Sequence, residues 1–415
     1  MTKLAELIDE LCPDGVEYVY FKDVCQYIRG ITYKKTQEIK NDEDKAWAVL
    51  RANNITLSDN TLNFDDVKKI SKSVSVKETQ FLKKGDILIC AGSGSKEHIG
   101  KVAYIFNDMD FTFGGFMAVI RCPRALNSRF MFHYMTSGYF QYYLKHALNS
   151  TTINNLNVGV MANFEIPVPP LEIQREIVRI LDKFTELTAE LTAELTAREQ
   201  QYEYYRRELL NFDDRKDINY IPLGKAFEMK NGYTPSKKIK EYWQDGTIPW
   251  FRMEDIRLHG HILSDSIQHI TMKGVKGKLF PANSIILATT ATIGEHALLI
   301  ADSLANQRFT FFTKCKSLMD KINTKYAYYY FYIIDEWCKR NVKISSFASV
   351  DMEKLKKLPF PVPPLAEQQR IVDVLDRFDA ICHDLTAGLP AELTARQKQY
   401  EYYRDKLLTF KRKEA

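Results

Sequence analysis

The chain is written twice, and that constrains its fold more than anything else. Pro167-Val-Pro-Pro-Leu171 returns as Pro361-Val-Pro-Pro-Leu365, and the match continues through Ile177-Val178, Leu181-Asp182 and Phe184 into Ile371-Val372, Leu375-Asp376 and Phe378, at an offset of 194. Leu195-Thr-Ala-Arg198 and Gln201-Tyr-Glu-Tyr-Tyr-Arg206 recur as Leu393-Thr-Ala-Arg396 and Gln399-Tyr-Glu-Tyr-Tyr-Arg404 at an offset of 198, so the second copy is four residues longer between Phe378 and Leu385. Fainter echoes link Arg29-Gly-Ile-Thr32 to Asn231-Gly-Tyr-Thr234, residues 51–55 to 252–256, and Ile99-Gly100 to Ile293-Gly294. A repeat of this kind is architecture. Each half is a divergent block followed by a nearly invariant tail, which implies that the tails share one job and the blocks perform two different ones.

The tails read as helices. Pro169-Pro170 and Pro363-Pro364 punctuate their starts, since proline is tolerated in the first turn and not beyond it. Leu171, Ile177, Val178, Leu181, Phe184, Leu187, Leu191 and Leu195 then follow steps of three and four, the amphipathic signature. No glycine or proline interrupts residues 171–212, which as one helix would span about 63 Å. So long a stripe needs a partner, and the second tail carries the same stripe from Leu365 to Leu393. The two most simply pair as an antiparallel coiled coil. Gly388 and Pro390 should bend the second. The tetrads Leu187-Thr-Ala-Glu, Leu191-Thr-Ala-Glu and Leu195-Thr-Ala-Arg form a ruler within the first.

The blocks read as mixed α/β. Residues 85–90, 116–121, 284–288 and 309–313 are short apolar runs of strand length. Residues 130–148 and 325–340 are tyrosine-rich and of helical length, and the polar stretches 149–157 and 341–349 read as surface loops. The expected division is block one at residues 1–165, a central helix at 166–212, block two at 213–359 and a distal helix at 360–415.

With 415 residues, 45% hydrophobic and 27% charged, the chain has ordinary globular composition. No apolar run approaches the roughly 18 residues of a membrane span, and residues 1–10 lack a signal-peptide core. A soluble cytoplasmic protein without membrane partners is expected. Seven cysteines without C-x-x-C spacing fit a reducing compartment and packing roles, not a metal site. Net charge is +5, with the largest excess, 23 basic against 16 acidic groups, in residues 213–359.

Catalytic constellations are scarce. Ala91-Gly-Ser-Gly-Ser95 follows a strand, but Glu97 replaces the third glycine of a dinucleotide loop, and the second copy has Thr289-Thr-Ala-Thr292 there; a tight turn or DNA-facing loop fits better. His259-Gly-His261 lacks further ligands at metal spacing. A self-contained adenine methyltransferase would carry Asn or Asp before Pro-Pro and an aromatic after, whereas valine and leucine flank both pairs here. The chain therefore reads as non-catalytic. As a binder it offers Arg29, Lys34, Lys35, Arg51, Asn53, Asn54, Ser93, Ser95, Lys96, His98, Asn149, Ser150, Asn154 and Asn155 in block one. Block two offers Asn231, Lys237, Lys238, Arg252, Glu254, Thr289, Thr290, Gln307, Arg308, Lys343 and Ser345. Lys and Arg neutralise phosphates, while Asn, Gln and Arg can read base edges. Tyr202, Tyr204, Tyr205 and their copies Tyr400, Tyr402 and Tyr403 cannot all face one helical seam, so a second, partner-binding contact is expected.

The duplicated Ile166-Pro-Val-Pro-Pro-Leu171 and Phe360-Pro-Val-Pro-Pro-Leu365 helix entries, the Thr-Ala-Glu-Leu tetrads and the Gln-Tyr-Glu-Tyr-Tyr-Arg tails together resemble the specificity (S) subunit of type I restriction-modification systems, the IC subgroup in particular. The resemblance covers essentially the whole chain. It implies two mixed α/β target recognition domains in a pseudo-twofold repeat, separated by two long antiparallel coiled-coil helices. Each domain would read one half of a bipartite asymmetric site in double-stranded DNA. The helices would set the spacer and dock two modification (M) subunits, and restriction (R) subunits would join that trimer. No cofactor is then expected on this chain, because S-adenosylmethionine, ATP and Mg belong to the partners. The competing readings are a self-contained adenine methyltransferase or nuclease with its own reader, and a coiled-coil scaffold without DNA contact.

Overall fold

The computed structural model describes residues 2–39, 46–94, 96–149, 155–213, 215–344, 348–384 and 386–414. The chain forms two compact units, Met1–Thr192 with Glu392–Ala415, and Ala193–Ala391. Each unit thus takes one block and part of both tails.

In unit 1 a four-stranded antiparallel sheet runs in the order Gln26–Arg29, Met117–Arg121, Ile87–Cys90, Val102–Tyr104. All four residues of Ile87–Cys90 are buried, because the sheet is covered on both faces. Ile87, Ile89, Ala118, Ile120 and Val102 face one core, and the alternating Leu88, Cys90, Met117, Val119 and Ala103 face another. Two-sided burial explains why these segments read as continuous apolar runs and not as alternating strands. The second core lies toward a three-stranded sheet, Lys68–Ser71, Ala46–Leu50 and Phe111–Phe113, whose last pairing is parallel.

Unit 2 repeats this plan. Its five-stranded sheet runs Phe227–Asn231, Phe309–Lys314, Ile285–Ala288, His296–Leu299, Ile262–Leu263, and a three-stranded sheet holds His269–Ile270, Ile248–Phe251 and Leu304–Ala305. The same alternation sends Ile285, Leu287, Leu298 and Phe312 to one core and Ile286, Ala288, Ala297, Leu299 and Phe311 to the other. Both units are mixed α/β, as expected.

A helix follows each sheet, and in both an asparagine begins it. The Asn127 side chain accepts the amides of Arg129 and Phe130 ahead of helix Ser128–Thr136, and Asn323 accepts those of Lys325 and Tyr326 ahead of Thr324–Arg340, satisfying otherwise orphaned N–H groups. The single helix expected over residues 130–148 is in fact two, Ser128–Thr136 and Gly138–Asn149. Ser137 bonds back to the Tyr134 carbonyl at 2.6 Å, and the Gly138 amide turns to Asp405 at 3.1 Å. The polar stretch expected as loop over residues 341–349 instead contributes Val342–Ile344 and Ala348–Val350, paired antiparallel.

The first tail forms the 39-residue helix Leu171–Leu209. The second is interrupted: helix Leu365–His383 stops, and Leu389–Leu407 begins with Pro390 in its first turn, where its missing N–H costs nothing. Between them the Asp384 carboxylate accepts the amides of Thr386 and Ala387. Within unit 1, Phe184 stacks on Tyr403 at 5.5 Å. Within unit 2, Tyr205 stacks on Phe378 at 5.4 Å and Tyr202 meets His383 at 5.7 Å. Rising numbers on one helix meet falling numbers on the other, so this pairing is antiparallel.

Each block is also clamped to a tail. In unit 1, Arg129 and His133 converge on Asp182 at 2.7 and 2.9 Å, and the far side of His133 meets the Tyr400 hydroxyl at 3.0 Å. In unit 2, Lys325 and Tyr329 converge on Asp376, both at 2.6 Å. The residues after the last helix return to unit 1, where the Val16 amide donates to the Lys411 carbonyl at 2.8 Å and Lys413 donates back to Val16 at 3.0 Å. Among the described residues no helix is long and apolar enough to cross a membrane, and no group of three or more His, Cys, Asp or Glu could hold a metal ion.

Candidate nucleic-acid interface

Some of the expected DNA-facing residues meet at one short turn in each unit. In unit 1 it is residues 114–117, joining strands Phe111–Phe113 and Met117–Arg121 and closed by the Met117 amide on the Gly114 carbonyl at 2.7 Å. The Gly114 amide donates to Leu50, next to Arg51, at 3.0 Å. Arg29 holds the Gly115 carbonyl through Nη2 at 2.6 Å, while its Nη1 reaches the Leu156 carbonyl and Asn155 Oδ1 at 3.2 and 3.3 Å. The amides of Ala91 and Gly92 both donate to the Phe116 carbonyl, at 2.8 and 2.9 Å. That occupies these two amides within the fold, where they brace the turn and are not free to hold a phosphate. Gly30 runs so close beneath that a Cβ there would lie 2.2 Å from the Gly114 carbonyl oxygen, and only glycine fits.

Unit 2 builds the same turn from residues 306–309. The Phe309 amide closes it on Asn306 at 3.2 Å, the Asn306 amide donates to Phe251 beside Arg252 at 3.1 Å, and Thr289 donates to the Arg308 carbonyl at 2.9 Å. Gly232 underlies it as Gly30 does, with a Cβ 2.3 Å from the Ala305 carbonyl oxygen. The exposed Gln307 accepts from Thr234 Oγ1 at 2.6 Å, and the Arg308 amide is fixed by Asn306 Oδ1 at 2.9 Å. Asn231, in the place of Arg29, accepts from Thr310 Oγ1 at 2.9 Å, and Thr290 bridges to Ser349.

Several of the remaining candidates have their charges partly engaged. Lys34 and Lys35 are exposed in a short turn of unit 1. Arg51 pairs with Asp66 at 2.6 Å, and Asn53 joins the same carboxylate at 3.2 Å; the Arg51 guanidinium holds the Asp66 carboxyl below the usual carboxylate range. Arg252 lies 3.9 Å from Glu254. Lys237 lines a shallow depression with Lys240, Trp243, Gln244 and Gln268, and Lys238 is exposed beside it. Lys343 pairs with Asp351 at 2.9 Å and holds that carboxyl low. Ser93 and His98 are half-buried on the brace loop. Ser95, Ser150, Asn154 and Ser345, with the side chains of Lys96 and Asn149, lie outside the described residues.

Some expectations need correction. Asn54 is fully buried and accepts the Arg51 amide at 2.9 Å while donating to the Asn63 carbonyl; it shapes the loop that carries Arg51 and cannot touch DNA. Thr289 is 5% exposed, with its hydroxyl 3.0 Å from that of Thr310. Of the six tyrosines expected to dock a partner, Tyr202 and Tyr400 belong to their own units' cores, because desolvating these rings stabilises the unit itself. Tyr205 and Tyr403 stack on Phe378 and Phe184. Tyr204 and Tyr402 point outward, 60% and 61% exposed.

Residue reasoning also missed Phe116, which is 72% exposed. Its counterpart Arg308 drew notice as a cation, whereas Phe116 read as the first residue of an apolar strand.

The model of the type I restriction modification DNA specificity domain matches residues 13–198 and again 215–395, and the chain belongs to that family. It is 52% identical over 209 residues to the type I restriction enzyme EcoprrI specificity subunit of Escherichia coli, covering 48% of this chain and 52% of that one. It is 42% identical over 265 residues to the EcoR124I/EcoR124II specificity subunit of E. coli, covering 60% and 64%. It is also 31% identical over 306 residues to a putative specificity subunit of Haemophilus influenzae, covering 70% and 74%. The matches thus span between half and two thirds of the two E. coli relatives. Among solved structures, the fold is shared with a chain from a study of complex assembly and conformational transition of the type I R-M system, at TM-score 0.63, 18% identity and coverage of 96% and 98%. It is shared also with the type I S subunit from M. genitalium, at TM-score 0.50, 15% identity and coverage of 94% and 96%.

Proposed function

We propose that this chain is the non-catalytic DNA-recognition subunit of a type I restriction-modification complex. Each unit reads one half of a bipartite asymmetric site, with residues 1–165 and 213–359 as recognition domains. The helical segments 166–212 and 360–415 set the spacer and dock two modification subunits, to which restriction subunits join. S-adenosylmethionine, ATP and Mg reside on those partners.

The observation that carries the reading is the turn built twice. The bond that closes the turn, its anchor to the residue before Arg51 or Arg252 and an amide on its third carbonyl recur at residues 114–117 and 306–309, while the outward side chains differ. That is the arrangement expected of one scaffold presenting two sequence-reading surfaces. The specificity subunits among its relatives support it.

The test is methylation sequencing of a host carrying this chain with its modification partner, before and after residues 1–165 are exchanged for another member's block. One half-site should change and the other persist; a change in both would refute modular reading. Adenine methylation by the purified chain alone would instead establish a self-contained enzyme, and no sequence-selective band in a gel shift, with or without the partner, would establish a scaffold.

A further inference from the structure

We infer that Phe116 is a base-contacting residue of unit 1, laying its ring against the bases of that unit's half-site, and that Arg308 occupies the equivalent place in unit 2. The inference deepens the DNA-recognition reading and rests on it. An isolated exposed phenylalanine is ordinary on a protein surface; this one is distinguished by how it is held. Its own carbonyl receives two amides, from Ala91 and Gly92, and the preceding Gly115 carbonyl receives the Arg29 guanidinium. The turn is closed by Met117 on Gly114 and anchored through Gly114 to Leu50. Five hydrogen bonds therefore fix the backbone around a side chain that is 72% exposed. The two residues before it are glycines, so no side chain of the turn itself flanks the ring on its N-terminal side. A rigid aromatic presented in this way loses little entropy on contact and offers a flat apolar face.

Correspondence with unit 2 gives the second line of argument. Arg308 also has its carbonyl fixed, by the Thr289 amide, and its own amide held by Asn306 Oδ1, and its side chain is exposed. Arginine there can donate twice to a guanine edge. Phenylalanine cannot hydrogen-bond, so its discrimination comes through stacking on an unstacked base step or through contact with a thymine methyl.

The experiment uses the full chain assembled with its modification subunits and duplexes carrying the motif found by methylation sequencing. Phe116→Ala should weaken binding to the cognate duplex about tenfold or more, the effect of losing one aromatic–base contact. Binding to a non-cognate duplex and the salt dependence should stay unchanged, because no phosphate contact is lost. The methylated motif should relax only in the half-site read by unit 1, and Phe116→Trp should restore binding. Arg308→Ala should relax the other half-site. Because the side chain is exposed, the thermal melt of Phe116→Ala should match the wild type. Wild-type affinity and motif in Phe116→Ala, or an equal loss on non-cognate DNA, would overturn the inference while leaving the functional reading intact. Failure of the wild-type complex to select any sequence would overturn both.

Discussion

Gln174 accepts the backbone N–H of Asn127 through Oε1 at 2.7 Å, and Gln368 accepts that of Asn323 at the same distance. Each glutamine also donates to a carbonyl of the Pro-Pro entry, Pro169 or Pro363, at 2.7 Å, and both are fully buried. One side chain thus joins the start of a tail helix to the start of the block helix it packs on. Replacing Gln174 by Ala leaves a buried donor and a buried acceptor unpaired, at a cost of about 2 kcal/mol. Urea unfolding should report that loss, and Gln368→Ala should produce a similar one in unit 2, seen as local amide exchange around Asn323.

Unit 1 should lose stability in mild acid. His133 is buried, and burial pulls its pKa below the ordinary 6.5 although Asp182 pulls the other way. The folded state therefore binds the proton less readily than the unfolded chain, so stability is full above about pH 6.5 and declines as pH falls from there to the lowered folded value. Protection factors of amides in helix Ser128–Thr136, taken relative to the intrinsic exchange rate at each pH, should fall between pH 7.5 and 5, and His133→Gln should flatten that dependence. Unit 2 has Tyr329 in the same place, facing Asp376.

Tyr204→Glu combined with Tyr402→Glu should abolish assembly with the modification subunit while leaving the chain's melting temperature near the wild-type value, since both rings are exposed. Tyr202→Ala should do the reverse in part, destabilising the fold by about 3 kcal/mol or more through cavity formation. Size-exclusion chromatography with the partner, beside thermal melts, separates the two; intact assembly of the double variant would exclude these tyrosines from the contact.

Inserting one Leu-Thr-Ala-Glu unit after Glu194 adds about 6 Å of helix and about 40° of rotation beyond a full turn. One base pair adds about 3.4 Å and about 34 to 36°. Rotation matches one base pair, and DNA bending can absorb the axial remainder, so the spacer in the methylated motif should lengthen by one. A two-residue insertion turns the leucine stripe about 200° away from its partner and should destroy activity. An unchanged spacer after the four-residue insertion would mean that the helix does not set it.

The tails were legible because near-identity at fixed offsets survives where packing is shared, and the proline entries mark the helix starts. The faint echo of Arg29-Gly-Ile-Thr32 in Asn231-Gly-Tyr-Thr234 was legible too, and its cause is now plain: Gly30 and Gly232 pass under the same turn without room for a Cβ. Illegible were the properties that depend on what a side chain meets in space. Asn54 looks like a base reader and is a loop brace, Tyr202 and Tyr204 differ by two positions and face core and solvent, and Phe116 is hidden in an apolar run. Residues 341–349 look like loop because their two strands are only three residues long each, too short to show a period.

Unit 1 is assembled from stretches at opposite ends of the chain. Its core includes Tyr400, Leu407 and Leu408 beside Phe130 and Ile177, and Val16 pairs with Lys411 and Lys413, whereas unit 2 is one continuous stretch. During synthesis the ribosome completes unit 2 first, although its sequence comes second. The nascent unit 1 must wait, with the surface that receives Tyr400 uncovered, until the last two dozen residues emerge. Such exposed apolar surface is prone to aggregation. Translation through residues 193–391 is therefore the interval in which the folded part of unit 1 stands without its closing segment.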